Sequence, residues 1–187
     1  MATKHEFIDT PEGAQAAYAV LRGCSYIFLD CEGRDLGTKT GALGLLQLGT
    51  PDAARIFLID VPALVGDASL VQIFSLLKDK NLVKVVWDGR MDDSELLFGH
   101  QVKMAGVLDL QIVDIVSRRE RAGNRERAYE HDRMRRMIRK ELLLAAIKKL
   151  QTEGLHVLNS MDRAIMEHGL EGVPKKDGEQ VTKSGVV

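Results

Sequence analysis

The sequence predicts an α/β domain: a mixed sheet, an antiparallel meander followed by parallel strands, covered by helices and continued by a helical C-terminal part. Three observations predict it. Short apolar runs at 26–29, 43–48 and 55–59 follow one another without an intervening helical pattern, and the last two are joined by the turn residues Gly49-Thr50-Pro51-Asp52. From Ser69 the apolar spacing becomes helical, and a further apolar run at 82–87 comes next, so that strand is reached through a helix and pairs in parallel. At 187 residues and 45% hydrophobic content, the chain is long enough and apolar enough to bury one compact core.

Each element has a local reason. Thr10, Pro11 and Glu12 supply an N-cap, a first-turn proline and a first-turn acid to an alanine-rich helix over 11–22 that stops at Gly23. The strand at 26–29 ends on Asp30-Cys31-Glu32-Gly33. Leu70, Ile73, Phe74 and Leu77 form the apolar stripe of a helix over 69–78. A short helix at 93–98 and a strand at 107–108 precede a helix beginning at Gln111. Residues 118–149 read as a charged helix broken at Gly123-Asn124, and Leu155, Leu158, Met161 and Ile165 mark an amphipathic helix over 155–168 closed by Gly169. The stretch 171–187 has no periodicity and is expected to be a flexible tail.

Composition narrows the function classes. The formal charge is −1, from 26 Lys and Arg against 27 Asp and Glu. Within 118–149, however, twelve basic side chains face five acidic ones, so the charge is unevenly placed. Cys24 and Cys31 are too few for a disulfide framework or a four-cysteine zinc site and read as buried, reduced thiols. There is no signal-like N-terminus and no apolar run of the roughly 18–20 residues a membrane span needs, so a soluble protein of the cytoplasm or nucleus is expected. Phosphate loops of the GxGxxG or GxxxxGK type are missing from the sequence, which disfavours nucleotide-cofactor enzymes.

Asp30 and Glu32, two apart on a strand, share one face with Cβ atoms about 6–7 Å apart, while Cys31 faces the other way. Two like charges there make sense if a divalent cation neutralises them, and hard carboxylate oxygens favour Mg²⁺ or Mn²⁺. For D-x-E alone, a strand tip running into solvent explains the residues as well. The run Val85 to Asp93 is a second strand emptying into acids just before a helix. Parallel strands deliver their carboxyl ends to one edge of a sheet, so Asp92 or Asp93 is placed to meet Asp30 and Glu32. One of that pair is also expected to cap the helix behind it.

The segment from Ile27 to Gly37, with Gly41-Ala42-Leu43 and Leu45-Leu46-Gln47-Leu48-Gly49 beyond it, resembles the first motif of the DEDD 3′-5′ exonucleases, in their ribonuclease D-like branch of 3′-5′ exonuclease domain-containing proteins. The segment from Lys84 to Leu96 resembles the second motif, and Val107 to Gln111 the stretch after it. A weaker resemblance continues through Leu155–Ile165 and His168-Gly169-Leu170. The resemblance implies a ribonuclease H-like fold over residues 1–170 and two divalent ions, Mg²⁺ or Mn²⁺. By position Asp30 would bridge both ions, Glu32 would complete one, and Asp92 would hold the second through water, with Asp93 the less favoured choice. Gly33 and Arg90 are the expected nucleic-acid contacts. The implied partner is the 3′ end of single-stranded nucleic acid, RNA or DNA.

The family's third motif is a Tyr or His followed four residues later by Asp. After residue 92, Tyr129, His100, His131, His156 and His168 are followed at that spacing by Arg133, Met104, Arg135, Ser160 and Gly172. His5 and Asp9 have the spacing but precede the first expected strand. The sequence therefore reads as a domain incomplete at its C-terminus, truncated before the third motif, with the second metal site impaired. Two functions follow: a metal-dependent 3′-5′ exonuclease, or an inactive RNA-binding or scaffold module on the same fold. The arginines at 118, 119, 121, 125, 127, 133, 135, 136 and 139 with Lys140 either track phosphates or form a solvated helix paired with the interleaved acids.

Overall fold

The computed structural model describes residues 3–122, with side chains to Arg118, and 158–170. The chain divides into two compact units, Met1–Leu110 and Gln111–Val187.

The first unit is a six-stranded mixed sheet with helices. In chain order it contains β1 (Lys4–Ile8), α1 (Pro11–Leu21), β2 (Tyr26–Arg34), β3 (Ala42–Gly49), β4 (Arg55–Asp60), α2 (Val61–Leu64), α3 (Ala68–Lys78), β5 (Val83–Val86), α4 (Arg90–His100) and β6 (Val107–Asp109). The strands lie in the order β1-β4-β3-β2-β5-β6. β2, β3 and β4 form the expected antiparallel meander, and β5 then pairs in parallel with β2, and β6 with β5. The crossover from β4 to β5 runs through α2 and α3, which is what a parallel return requires.

Thr10 caps α1, its Oγ1 accepting from Gly13 N–H at 3.3 Å, with Pro11 in the first turn. The helix then buries Ala14, Ala17 and Leu21, the two alanines letting it sit close to α3, whose buried stripe includes Leu70, Ile73, Phe74 and Leu77. These side chains join Ile27, Leu29 and Cys31 of β2, Leu46 and Leu48 of β3, and Phe57 and Ile59 of β4 in one core.

Several expectations change. β1 was not foreseen: its Lys-His-Glu-Phe-Ile run is mostly exposed, and Glu6 is joined to β4 by a forked pair with Arg55 at 2.7 and 3.1 Å. β2 does not stop at Leu29 but continues to Arg34, paired with β3, so its acids stand inside the sheet and not at a frayed tip. Lys84 is fully buried in β5, and its ammonium donates to the carbonyls of Leu76, Asp79 and Leu82 at 3.3, 2.6 and 2.6 Å. Cys24 is half-buried, not buried.

α5 (Leu110–Ala122) leads into the second unit, whose other described element is α6 (Met161–Glu167). α6 begins later than the apolar spacing suggested, because Ser160 caps it and Asn159 is drawn into buried hydrogen bonds. Asn159 Nδ2 donates to Asp114 Oδ2 and Glu167 Oε2, both at 2.9 Å, and its carbonyl accepts from Gln111 Nε2 at 3.0 Å. Gly169, at φ +66°, closes α6 as expected. Arg118 is not placed to contact phosphate: it is buried and paired with Asp114 at 3.2 Å. The break at Gly123-Asn124, the remaining basic side chains, Leu155 and the tail at 171–187 lie outside the described residues. Among the described residues no helix is long and apolar enough to cross a membrane.

Candidate active site

β2 alternates strictly, burying Ile27, Leu29 and Cys31 and exposing Phe28, Asp30 and Glu32. The two carboxylates therefore share one sheet face, as period two demands. Asp30 lies opposite Gln47 of β3, whose Nε2 donates to Asp30 Oδ2 at 3.3 Å; Glu32 lies opposite Leu45. Immediately after Glu32 the register slips in a bulge. Gly33 occupies it because a Cβ there would stand 2.2 Å from the Ala42 carbonyl oxygen.

The third carboxylate comes from α4. β5 ends at Val86, and the chain turns through Asp88, at φ +56°, into a helix whose N-cap is Gly89. Gly89 has no side chain to offer, and α4 carries no side-chain cap hydrogen bond, so neither Asp92 nor Asp93 caps it as expected. Asp92 is buried while Asp93 is half-buried. Burial first, then the charges of Asp30, Asp88, Glu32 and Asp109, push the Asp92 carboxyl from its ordinary 3.8 up to about 7. Burial likewise pushes the Cys31 thiol up, with Asp92, Asp30, Glu95 and Glu32 adding to it, so Cys31 is no nucleophile at neutral pH. Beside the turn, exposed Arg90 forks onto the Asp88 carboxylate at 2.5 and 2.9 Å, which holds that carboxyl below its usual range.

Asp92 thus feels the charges of Asp30 and Glu32. Among the described residues, no group of three or more His, Cys, Asp and Glu side chains lies close enough together to hold a metal ion. The donor chemistry nonetheless fits a hard divalent cation: carboxylate oxygens, one of them desolvated among four other acids, with net negative charge to neutralise. Glu95, buried on α4, was not singled out from the sequence, where it reads as an ordinary helix acid. His5, four residues before Asp9, sits on β1, three strands from β2 and so about 14 Å across the sheet.

A family model described as 3′-5′ exonuclease matches residues 5–158. The chain belongs to the 3′-5′ exonuclease family. Among solved structures, it is 32% identical to RNase D of Trypanosoma brucei in complex with RNA U12, with a TM-score of 0.53 over 59% of this chain and 38% of that one. The catalytic core of RRP6 from the same organism is 26% identical, with a TM-score of 0.51 over 59% of this chain and 30% of that one. An EXD2 exonuclease domain, 23% identical, shares the fold with a TM-score of 0.56 over 65% and 64%. The mixed sheet with its helices is the ribonuclease H-like architecture of these exonucleases. The chain spans 38% of the RNase D chain and 30% of the RRP6 core. No curated protein matches it.

Proposed function

We propose that this chain binds the 3′ end of single-stranded nucleic acid and hydrolyses its phosphodiester bonds with two divalent ions, Mg²⁺ or Mn²⁺. Asp30, Glu32 and Asp92 are the residues that would hold them. Bound there, such ions activate water and neutralise the charge that develops on the scissile phosphate. The observation that carries this reading is the Asp92 carboxyl, desolvated and set among Asp30, Glu32, Asp88 and Asp109. Like charges gathered this way cost stability unless a cation meets them. Gly33, exposed at the bulge, and Arg90, exposed beside the turn, are the proposed contacts to the substrate backbone. The RNA in the RNase D complex makes RNA the first substrate to try.

A second reading rests on the sequence after residue 92, where no Tyr or His precedes an Asp by four. In it the same carboxylate face binds nucleic acid without cutting. One experiment separates the two. A 5′-labelled single strand incubated with Mn²⁺ is expected to shorten from its 3′ end with the wild-type chain and to stay intact with Asp30→Ala. Retention of the strand at full length by the wild type, with binding still measurable, would favour the inactive module.

A further inference from the structure

Sheet pairing between β2 and β5 ends at Phe28 opposite Val85, two residues before Asp30. Beyond that point the carboxylates of β2 and the carboxylate of α4 repel one another, so something other than the sheet has to hold their elements together. The loop 35–41, which follows β2, meets α4 directly. Gly37 N–H donates to Glu95 Oε2 at 2.9 Å, and Glu95 is 4% exposed, one turn after Asp92. The loop is shaped around this contact. A Cβ on Gly41 would stand 2.3 Å from Glu95 Oε2 and 2.7 Å from the Asp35 carbonyl oxygen, so only glycine leaves room for the carboxylate. Gly37 adopts φ +70°, and a Cβ there would approach the Met91 carbonyl oxygen at 3.0 Å, which brings the loop backbone against the first turn of α4.

Resting on the exonuclease reading above, we propose that Glu95 is a positioning residue: through the Gly37 amide it clasps the loop after β2 to α4, and so sets the spacing between Asp30 and Glu32 on one side and Asp92 on the other. It touches neither substrate nor ion in this role. Its oxygen is occupied by the amide, and its effect reaches the site through two rigid elements. A carboxylate suits the task, because charge-assisted acceptors hold an amide more strongly than neutral ones, and a buried amide left without its acceptor is costly.

The test uses the full chain with Glu95→Ala, Glu95→Gln and Gly41→Ala, read by calorimetric Mn²⁺ titration and by end-labelled strand shortening. Glu95→Ala is expected to weaken Mn²⁺ binding about tenfold or more and to lower kcat similarly, the range seen when residues supporting metal ligands are removed. KM for the strand should change less than about twofold, because substrate contacts are untouched. Glu95→Gln retains a carbonyl acceptor for Gly37 and should recover most of the loss. Gly41→Ala leaves Glu95 in place but drives it off the amide, and it should reproduce the defect even where Glu95→Ala fails to fold. Wild-type Mn²⁺ affinity in a folded Glu95→Ala or Gly41→Ala would overturn the proposal, as would a Glu95→Gln variant as impaired as Glu95→Ala. If the wild type itself takes up no Mn²⁺, the exonuclease reading fails, and the clasp with it.

Discussion

The backbone amide of Asp88 donates to Asp109 Oδ1 at 3.1 Å, pinning the turn that launches α4 to the neighbouring strand β6. That turn is bought with strain, since Asp88 sits at φ +56°. Asp88→Val, which places a β-branched side chain in the left-handed region, is expected to cost roughly 1–3 kcal/mol. Asp88→Gly relaxes the backbone and loses only the Arg90 pair, an exposed contact worth about 1 kcal/mol or less. Urea unfolding of the two variants should therefore rank glycine well above valine. Equal midpoints would show that the turn is unstrained.

Asp92 makes stability depend on pH with a definite sign. Its folded carboxyl, near 7, holds a proton more tightly than the ordinary 3.8, so its contribution is full below about pH 4 and is lost as pH rises through about 7. Asp92→Asn removes this titration. In EDTA the variant should gain on the wild type across that window and lead it by roughly 2–4 kcal/mol at pH 8. Added Mn²⁺ should raise the wild-type Tm at pH 8 and move the variant's far less. A difference between the two proteins that stays flat from pH 4 to pH 8 contradicts the electrostatic account.

Lys84 is held by three carbonyls in the interior. Lys84→Met fills most of the volume but strips those oxygens of their donor, and it is expected to destabilise the fold by roughly 2–4 kcal/mol. Lys84→Ala adds a cavity and should cost more, about 1–2 kcal/mol beyond the methionine variant. Chemical denaturation gives both numbers, and a methionine variant as stable as the wild type would show that the carbonyls find other donors.

Gly33 has a structural duty apart from any contact with nucleic acid. Gly33→Ala forces its Cβ onto the Ala42 carbonyl oxygen, and since backbone is what it meets, relief requires the bulge to shift. A loss of roughly 2–4 kcal/mol is expected, in the range of severe overpacking. Strand binding by Gly33→Ala at temperatures where it stays folded then reports on the substrate contact separately.

The meander, the parallel return and the faces of β2 were legible because each rests on a local rule: turn residues between apolar runs, helical spacing before a strand, and alternation that turns Asp30 and Glu32 together. What was missed depends on partners far along the chain. β1 is an edge strand whose pairing with β4 no alternation announces, and the forked Glu6–Arg55 pair spans 49 residues. Lys84 looks like a lapse in an apolar strand until the carbonyls around it are seen. Glu95 reads as one more surface acid, and its partner Gly37 is 58 residues away. The helical spacing of Leu155 and Leu158 suggests a longer α6, whereas the Ser160 cap and the buried Asn159 decide where the helix starts.

Asp30, Glu32 and Asp92 are proposed to share divalent cations. Crystals of the chain soaked in Mn²⁺ test it most directly, through the anomalous signal of the metal. Peaks are expected at coordination distance from Asp30 and Glu32, with Asp92 reaching one of them directly or through a water. Well-ordered carboxylates at these three positions, with no anomalous peak between them at saturating Mn²⁺, would contradict it.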